Sequence, residues 1–396
     1  RFQAEYDEFY QKCLNGNKPI SLWTVSQKYE VRSMEKLKCD PPKIRTFTGA
    51  SILHVRALNR FCLDFNNKFY RYSAYGNLRS FVGATKFYRG FNRVMTNLKK
   101  FKHGFKLDVK KFDQSVSSLF LWSQYDFRLS MLCGLTDNEK VAFQHLYSLA
   151  INKYLVLENG AVIYCEGGMP SGFSNTIVDN TMILHKLIAY AWVKLSLGRG
   201  CSPDWNLFFH GIVSYFNGDD SLISASDEVL EWFNPSSITL VLKDVGVEID
   251  DESGVVEVEK LTFLSQEFVV VDKCYCPVLD RHRLITSLLF DRERSHPLYS
   301  FIKLMALRIE SWADLEMREC VVNFINYYRD NVVPRHSQIK LGGSNIEFKD
   351  VMSMYLSDVE LRYLYTGFES GCALNNESHF KIRVILNQLK LIRSLF

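Results

Sequence analysis

Zinc-ligand and disulfide signatures are missing from this sequence. Its ten cysteines, at positions 13, 39, 62, 133, 165, 201, 274, 276, 320 and 372, form no C-x-x-C pair and no zinc-ligand spacing. That pattern argues against a disulfide framework or a structural zinc site, and for reduced thiols in a cytosolic setting. Cys274 and Cys276 alternate within VVVDKCYCPVL and are expected to lie on one buried strand face. No run reaches the roughly eighteen uninterrupted apolar residues of a membrane span. The nearest, ILHKLIAYAWVKLSLG, is broken by His185, Lys186 and Lys194. No signal-peptide pattern opens the chain, and its start at Arg1 instead of Met is expected of a fragment or a product cut from a longer precursor. Internal repeats, low-complexity tracts and linkers rich in proline and glycine are also lacking, so subdomains are expected to be interwoven.

What is present is an ordinary globular composition. The 396 residues are 47% hydrophobic, enough for a large core and two or three subdomains. Aromatic residues make up 14%, with 29 Phe and 20 Tyr, which reads first as a bulky core and second as stacking surface for bases. A net charge of +4 says little about partners, but its distribution is uneven. Residues 86 to 111 carry nine Lys or Arg against the single acid Asp108, and residues 28 to 45 carry six against three acids. Such stripes are either solvated faces or the track of a phosphate backbone.

Periodicity predicts a helix over 50–70, with Ile52, Val55, Leu58, Phe61 and Phe65 on one side. GFKLDV reads as a strand, followed by a helix from about Gln114 to Cys133 with Asp113 as a candidate N-cap. YLVLENGAVIYCEGG predicts a hairpin turning at Asn159-Gly160, and the segment after MPSGFSNT predicts a long helix. Shorter helices are expected near 228–233 and 236–245, then the strands VVEVEKLTFLSQEFVVVD, then a mainly helical region from about 280. Strands and helices interleaved in the middle and helices at the end predict an α+β core with a helical C-terminal subdomain.

One stretch concentrates charge of a single sign. In YFNGDDSLIS, Asp219 and Asp220 follow Gly218 between two apolar runs, a strand-turn-strand pattern in which Asn217-Gly218 suits a type I′ turn. Adjacent carboxylates repel, so they either splay into solvent or gather around a cation. A two-metal site needs carboxylates from separate segments, and LDVKKFD offers Asp108 at a strand end with Asp113 five residues on. In SGFSNTIVDN, Thr176 and Asn180 lie four apart on the predicted helix and share a face, with Ser171-Gly172 ahead of them. Read alone, Ser171 is a turn residue and Asn180 a solvated one. The Pro-broken basic segment with Lys28, Arg32, Lys43 and Arg45 completes the set, since an arginine fork grips phosphate oxygens bidentately.

In this order, D-x4-D, S-G-x3-T-x3-N and G-D-D, preceded by the basic segment 28–45 and followed by LTFLSQEF, resemble the motif set of RNA-dependent RNA polymerases of positive-strand RNA viruses. The stretches RTFTGA, DFNNKFY, GATKFYRGF, VDNTMI, NGDDSLIS and PVLDRHRLITSLLFDR followed by RIESWA place the resemblance on the potyvirus and astrovirus side, closest to potyvirus replicases. It spans nearly the whole chain.

The resemblance implies a right hand of fingers, palm and thumb, with the palm an antiparallel sheet flanked by helices. Fingers are expected over 1–104, palm over 105–133, a fingers insertion over 134–166, palm again over 167–278 and thumb over 279–396. It further implies that Asp108 and Asp219, with Asp220 closer or indirect, hold two Mg²⁺ ions, for which Mn²⁺ can substitute. Asp113 and Asn180, helped by Ser171, Gly172 and Thr176, would bind the ribose 2′-hydroxyl of the incoming nucleotide. Lys28, Arg32, Lys43 and Arg45 would neutralise its triphosphate, and the 86–111 stripe would line the template path. The family's general-acid lysine after the double-Asp hairpin has two candidates here, Lys243 and Lys260. Implied partners are an RNA template and primer, ribonucleoside triphosphates and other viral replication proteins, in the host cytoplasm at membrane-associated replication complexes. The fingers look short, as if the segment bridging to the thumb were missing. Two other readings are a non-catalytic RNA-binding protein with a polymerase shell, and a reverse transcriptase. The latter is disfavoured because it typically carries an aromatic and a variable residue before the two Asp, and a bulky residue where Asp113 and Asn180 stand.

Overall fold

A computed structural model describes all residues except 29–31, 41, 250–253, 290–295, 342, 368–375 and 394–396. The chain opens with α1 (Phe2–Leu14), β1 (Leu22–Gln27), the short α2 (Met34–Leu37), β2 (Thr46–Gly49) and the long α3 (Ile52–Ala74). It continues through α4 (Gly90–Leu98), β3 (His103–Phe105), α5 (Phe112–Ser115), α6 (Ser118–Ser130), α7 (Asp137–Ile151), the hairpin β4 (Asn152–Val156) and β5 (Val162–Glu166), and α8 (Thr176–Gly198). Then come β6 (Ile212–Asn217), β7 (Asp220–Ala225) and β8 (Val256–Glu257), followed by the hairpins β9 (Gln266–Val271) with β10 (Cys274–Leu279) and β11 (Gln338–Leu341) with β12 (Ser344–Glu347). Helices Pro297–Glu310 and Leu315–Tyr327 lie where the sequence shows helical periodicity.

These elements form two compact units. One comprises Arg1–Ala84 and Lys100–Val258, the other Thr85–Lys99 and Glu259–Phe396. Residues 85–99 and 259–278 fall in the same unit as the C-terminal helices.

The first unit holds two four-stranded sheets, ordered β2-β1-β4-β5 and β6-β7-β3-β8. All pairings in the second sheet are antiparallel. Its inward residues Ile212, Phe216, Ile223 and Ala225 are at most 1% exposed and pack with Leu184, Leu187 and Ile188 of α8. In α8 the apolar positions recur at helical spacing, and Trp192 packs on Trp232 and Phe233 farther along the helix.

The second unit has its own core, in which Leu298, Phe301 and Ile302 pack with Val321, Leu361 and Leu364. Cys274 and Cys276 are both buried on one face of β10, as their alternation predicts, and burial pushes the Cys276 thiol up to about 12. The nine described cysteines are all free thiols, and Cys372 lies outside the described residues. Among the described residues no helix is long and apolar enough to cross a membrane.

Three local expectations are corrected. The helix over Gln114–Cys133 is broken at Val116, whose backbone is extended, into α5 and α6. Asp113 therefore sits in the first turn of α5 and caps nothing, since the N-cap position belongs to Lys111 in the left-handed region. The double-Asp hairpin pairs Asn217 with Asp220, so Gly218-Asp219 forms the turn. Only Gly218 of that pair has positive φ, +70°, which suits a type II′ turn and not the type I′ turn expected of Asn217-Gly218.

Candidate active site

The hairpin tip is held from two sides. The Gly218 N–H donates to Thr181 Oγ1 at 2.8 Å, while the Thr181 hydroxyl donates to the Ile177 carbonyl at 2.7 Å. Thus α8 fixes the turn that presents Asp219. On the other side β3 runs antiparallel to β7 with Phe105 opposite Ile223. Carried onward, that register puts Leu107 opposite Ser221, where the Leu107 N–H donates to Ser221 Oγ at 2.8 Å and the Ser221 hydroxyl donates to the Leu107 carbonyl at 3.1 Å. Asp108, next after Leu107, and Asp220, next before Ser221, therefore flank one contact at this end of the sheet.

Asp108, Asp219 and Asp220 are all exposed at this end of the sheet. Among the described residues no three Asp, Glu, His or Cys side chains gather closely enough to hold a metal ion by themselves. The carboxylate donors nonetheless suit Mg²⁺, a hard cation usually bound through one or two carboxylates, substrate phosphates and water.

Asp113 lies beside this edge on the chain that leaves it. Its Oδ1 accepts from Asn180 Nδ2 at 2.9 Å and its Oδ2 from the Ser171 hydroxyl at 3.4 Å. The loop carrying Ser171 is clipped to the same segment, with Met169 N–H donating to the Asp113 carbonyl at 2.6 Å and Gly168 N–H to that of Val116 at 2.8 Å. Asn180 is 5% exposed, and its Oδ1 is buried with no hydrogen-bond partner. Gly172 is required sterically: a Cβ there would stand 2.2 Å from the Thr48 carbonyl oxygen, so only glycine lets the loop meet β2. The Ser171 N–H donates to Thr48 Oγ1 in the same contact, at 2.9 Å. Thr176 does not join the Asp113 cluster, because its hydroxyl turns to the Pro170 and Phe173 carbonyls, each at 2.8 Å, and closes the loop onto α8.

The basic residues are less gathered. The Lys28 N–H donates to the Arg45 carbonyl at 2.8 Å, so these two are adjacent where β1 meets the approach to β2. Arg32 is half-buried ahead of α2, and Lys43 is exposed. The 86–111 stripe is divided between the two units. In the second unit Lys86 pairs with Glu310, and Lys99 with Glu259 and Tyr275, so part of the stripe serves structural ion pairs. Of the two general-acid candidates, Lys243 belongs to the unit carrying the carboxylates and Lys260 to the other.

Sequence reasoning missed Thr181, Ser221 and Lys153. The Lys153 side chain, in a residue 4% exposed, donates to the carbonyls of Gly167, Gly168 (2.9 Å) and Ala150 (3.3 Å), and its burial lowers the ammonium pKa. It pins the loop that leads to Ser171. With Asn152 and Tyr154 on either side, no apolar run marked its burial.

Antiparallel strands presenting three carboxylates, beside a helix and loop that engage a fourth, make a palm-like arrangement. The chain belongs to the viral RNA-dependent RNA polymerase family, whose model matches residues 3–327. It is 29% identical over 378 residues to the genome polyprotein of tobacco vein mottling virus, covering 94% of this chain and 12% of the polyprotein. To that of bean yellow mosaic virus it is 28% identical over 348 residues, covering 88% of this chain and 10% of the polyprotein. The chain thus spans about a tenth of the length of these relatives. A solved Sicinivirus 3Dpol RNA-dependent RNA polymerase shares the fold, with a TM-score of 0.61 at 16% identity over 81% of this chain and 65% of that one.

Proposed function

We propose that this chain synthesises RNA on an RNA template from ribonucleoside triphosphates by nucleotidyl transfer, with Asp108, Asp219 and Asp220 as the residues that hold Mg²⁺. The observation that carries the reading is the Leu107–Ser221 lock, which ties the residue just before Asp108 to the hairpin that bears Asp219 and Asp220. Bound there, divalent ions would supply Lewis-acid stabilisation of phosphoryl charge and a lowered pKa for the attacking hydroxyl. Asn180, joined through Nδ2 to Asp113, takes the ribose 2′-hydroxyl together with Asp113 and Ser171. A deoxynucleotide forgoes those hydrogen bonds, a loss of about 1–3 kcal/mol or roughly five- to 150-fold in selectivity. Lys28, Arg32, Lys43 and Arg45 neutralise the triphosphate, and template, primer and other replication proteins are the partners. Substituting Asp219→Asn should abolish primer extension on homopolymer RNA while thermal melting stays near that of the parent. Retained Mg²⁺-dependent incorporation by that variant rejects the assignment.

A further inference from the structure

Beneath the ribose-binding face, α8 carries a second set of polar side chains that no solvent reaches. Asn175 and Asp179, four residues apart and on one face, are both 0% exposed. Asp179 Oδ1 accepts from Arg128 Nε at 2.9 Å and forms an ion pair with Nη2 at 2.7 Å. Arg128 Nη2 also donates to Asn66 Oδ1 at 2.9 Å, and Asn66 Nδ2 donates to Asn175 Oδ1 at 2.9 Å. Asn175 Nδ2 in turn donates to the Tyr147 hydroxyl at 3.0 Å, and that hydroxyl donates to Asp179 Oδ2 at 3.1 Å. The five side chains make a closed ring drawn from four helices, α3, α6, α7 and the start of α8. Each of them is at most 3% exposed.

Such a ring is costly to bury, and well-packed apolar residues would often serve stability as well or better. What it supplies is geometry. Asp179 and Asn180 are consecutive, so their side chains diverge by about 100° around the helix axis. The ring grips one side of α8 while Asn180 reaches Asp113 from the neighbouring side. A rotation of α8 by about 20° would swing a side-chain tip, at a radius of about 5–6 Å, through about 2 Å. That is enough to break the 2.9 Å bond between Asn180 and Asp113.

We infer that Asp179, Arg128, Tyr147, Asn66 and Asn175 are positioning residues that set the rotation of α8, and thereby the discrimination between ribo- and deoxyribonucleotides made at Asn180. The inference rests on the nucleotide-binding role proposed above for Asn180.

The test is the ratio of incorporation efficiencies for a ribonucleotide and its 2′-deoxy counterpart, in the full chain with an RNA template and primer. Tyr147→Phe keeps the ring's shape and removes the hydroxyl that joins Asp179 to Asn175. It is expected to lower the ratio by about fivefold, the weight of one hydrogen bond. Asn180→Ala should lower the ratio too, and Tyr147→Phe added to it should then change nothing more, because one acts through the other. Arg128→Lys, which keeps the charge and loses the fork, is the second variant and should behave alike if Tyr147→Phe fails to fold. An unchanged ratio in a folded ring variant, or losses that add in the double variant, overturns the inference. If Asn180→Ala itself leaves the ratio unchanged, the underlying nucleotide-binding reading fails instead.

Discussion

Individual buried polar groups set how this molecule responds to its surroundings, and His54 is the clearest case. It is 1% exposed, its Nε2 lies 2.9 Å from the Leu146 carbonyl oxygen, and its ring meets Trp23 edge-on. Burial drives its pKa down to about 4, so the folded state resists the proton that an unfolded histidine takes up near 6.5. Stability from this site is therefore complete above about pH 6.5 and is lost as pH falls toward about 4, by about 3 kcal/mol. Urea midpoints measured at pH 7 and at pH 4.5 should show that fall, and His54→Gln should shrink the difference between them. An equal difference in both proteins would mean that other groups carry the acid sensitivity, among them His185, whose pKa burial also lowers to about 4.

Short turns show where local chemistry and tertiary demand disagree. The β9–β10 hairpin closes on Asp272 and Lys273, with φ of +50° and +62°, a two-residue turn needing the left-handed region at both positions. Side chains there cost about 1–2 kcal/mol each. Asp272 is retained by its ion pair with Arg362 at 2.5 Å, whereas Lys273 is exposed. Lys273→Gly should raise stability by up to about 1 kcal/mol, once glycine's extra unfolded-state entropy is discounted, and a higher denaturation midpoint would register it. Long elements with clear periodicity were legible beforehand: the helix read over 50–70 is α3, and the helix read after MPSGFSNT is α8. The break at Val116 was not, since that residue fits a continuous apolar helix face and departs from it where the Gly168 N–H takes its carbonyl. The acids and Asn180 stood out as motif letters. Thr181 and Ser221 did not, because each bonds to backbone far away in sequence, and Lys153 did not, because its carbonyl partners lie just before and just past its own hairpin, relations that residue spacing does not encode.

The molecule as a whole is two cores threaded by one chain that crosses between them three times, after Ala84, Lys99 and Val258. In the second unit, α4 buries Phe91, Val94, Met95 and Leu98, and Phe91 lies against Phe268 with ring centroids 5.0 Å apart. A fragment ending at Val258 retains α4 without the residues that cover it. That fragment should self-associate in light scattering, and polar replacement of those four residues should relieve it. A monodisperse fragment with the native sequence would show that α4 finds other cover. The same discontinuity has a consequence in time. During translation, α4 leaves the ribosome 160 residues before Glu259, the difference between positions 259 and 99. At about 5–20 residues per second its apolar side waits on the order of ten to thirty seconds for a partner. For that interval the nascent polypeptide presents a sticky helix to the host's chaperones, which makes its yield in a cell hostage to elongation speed.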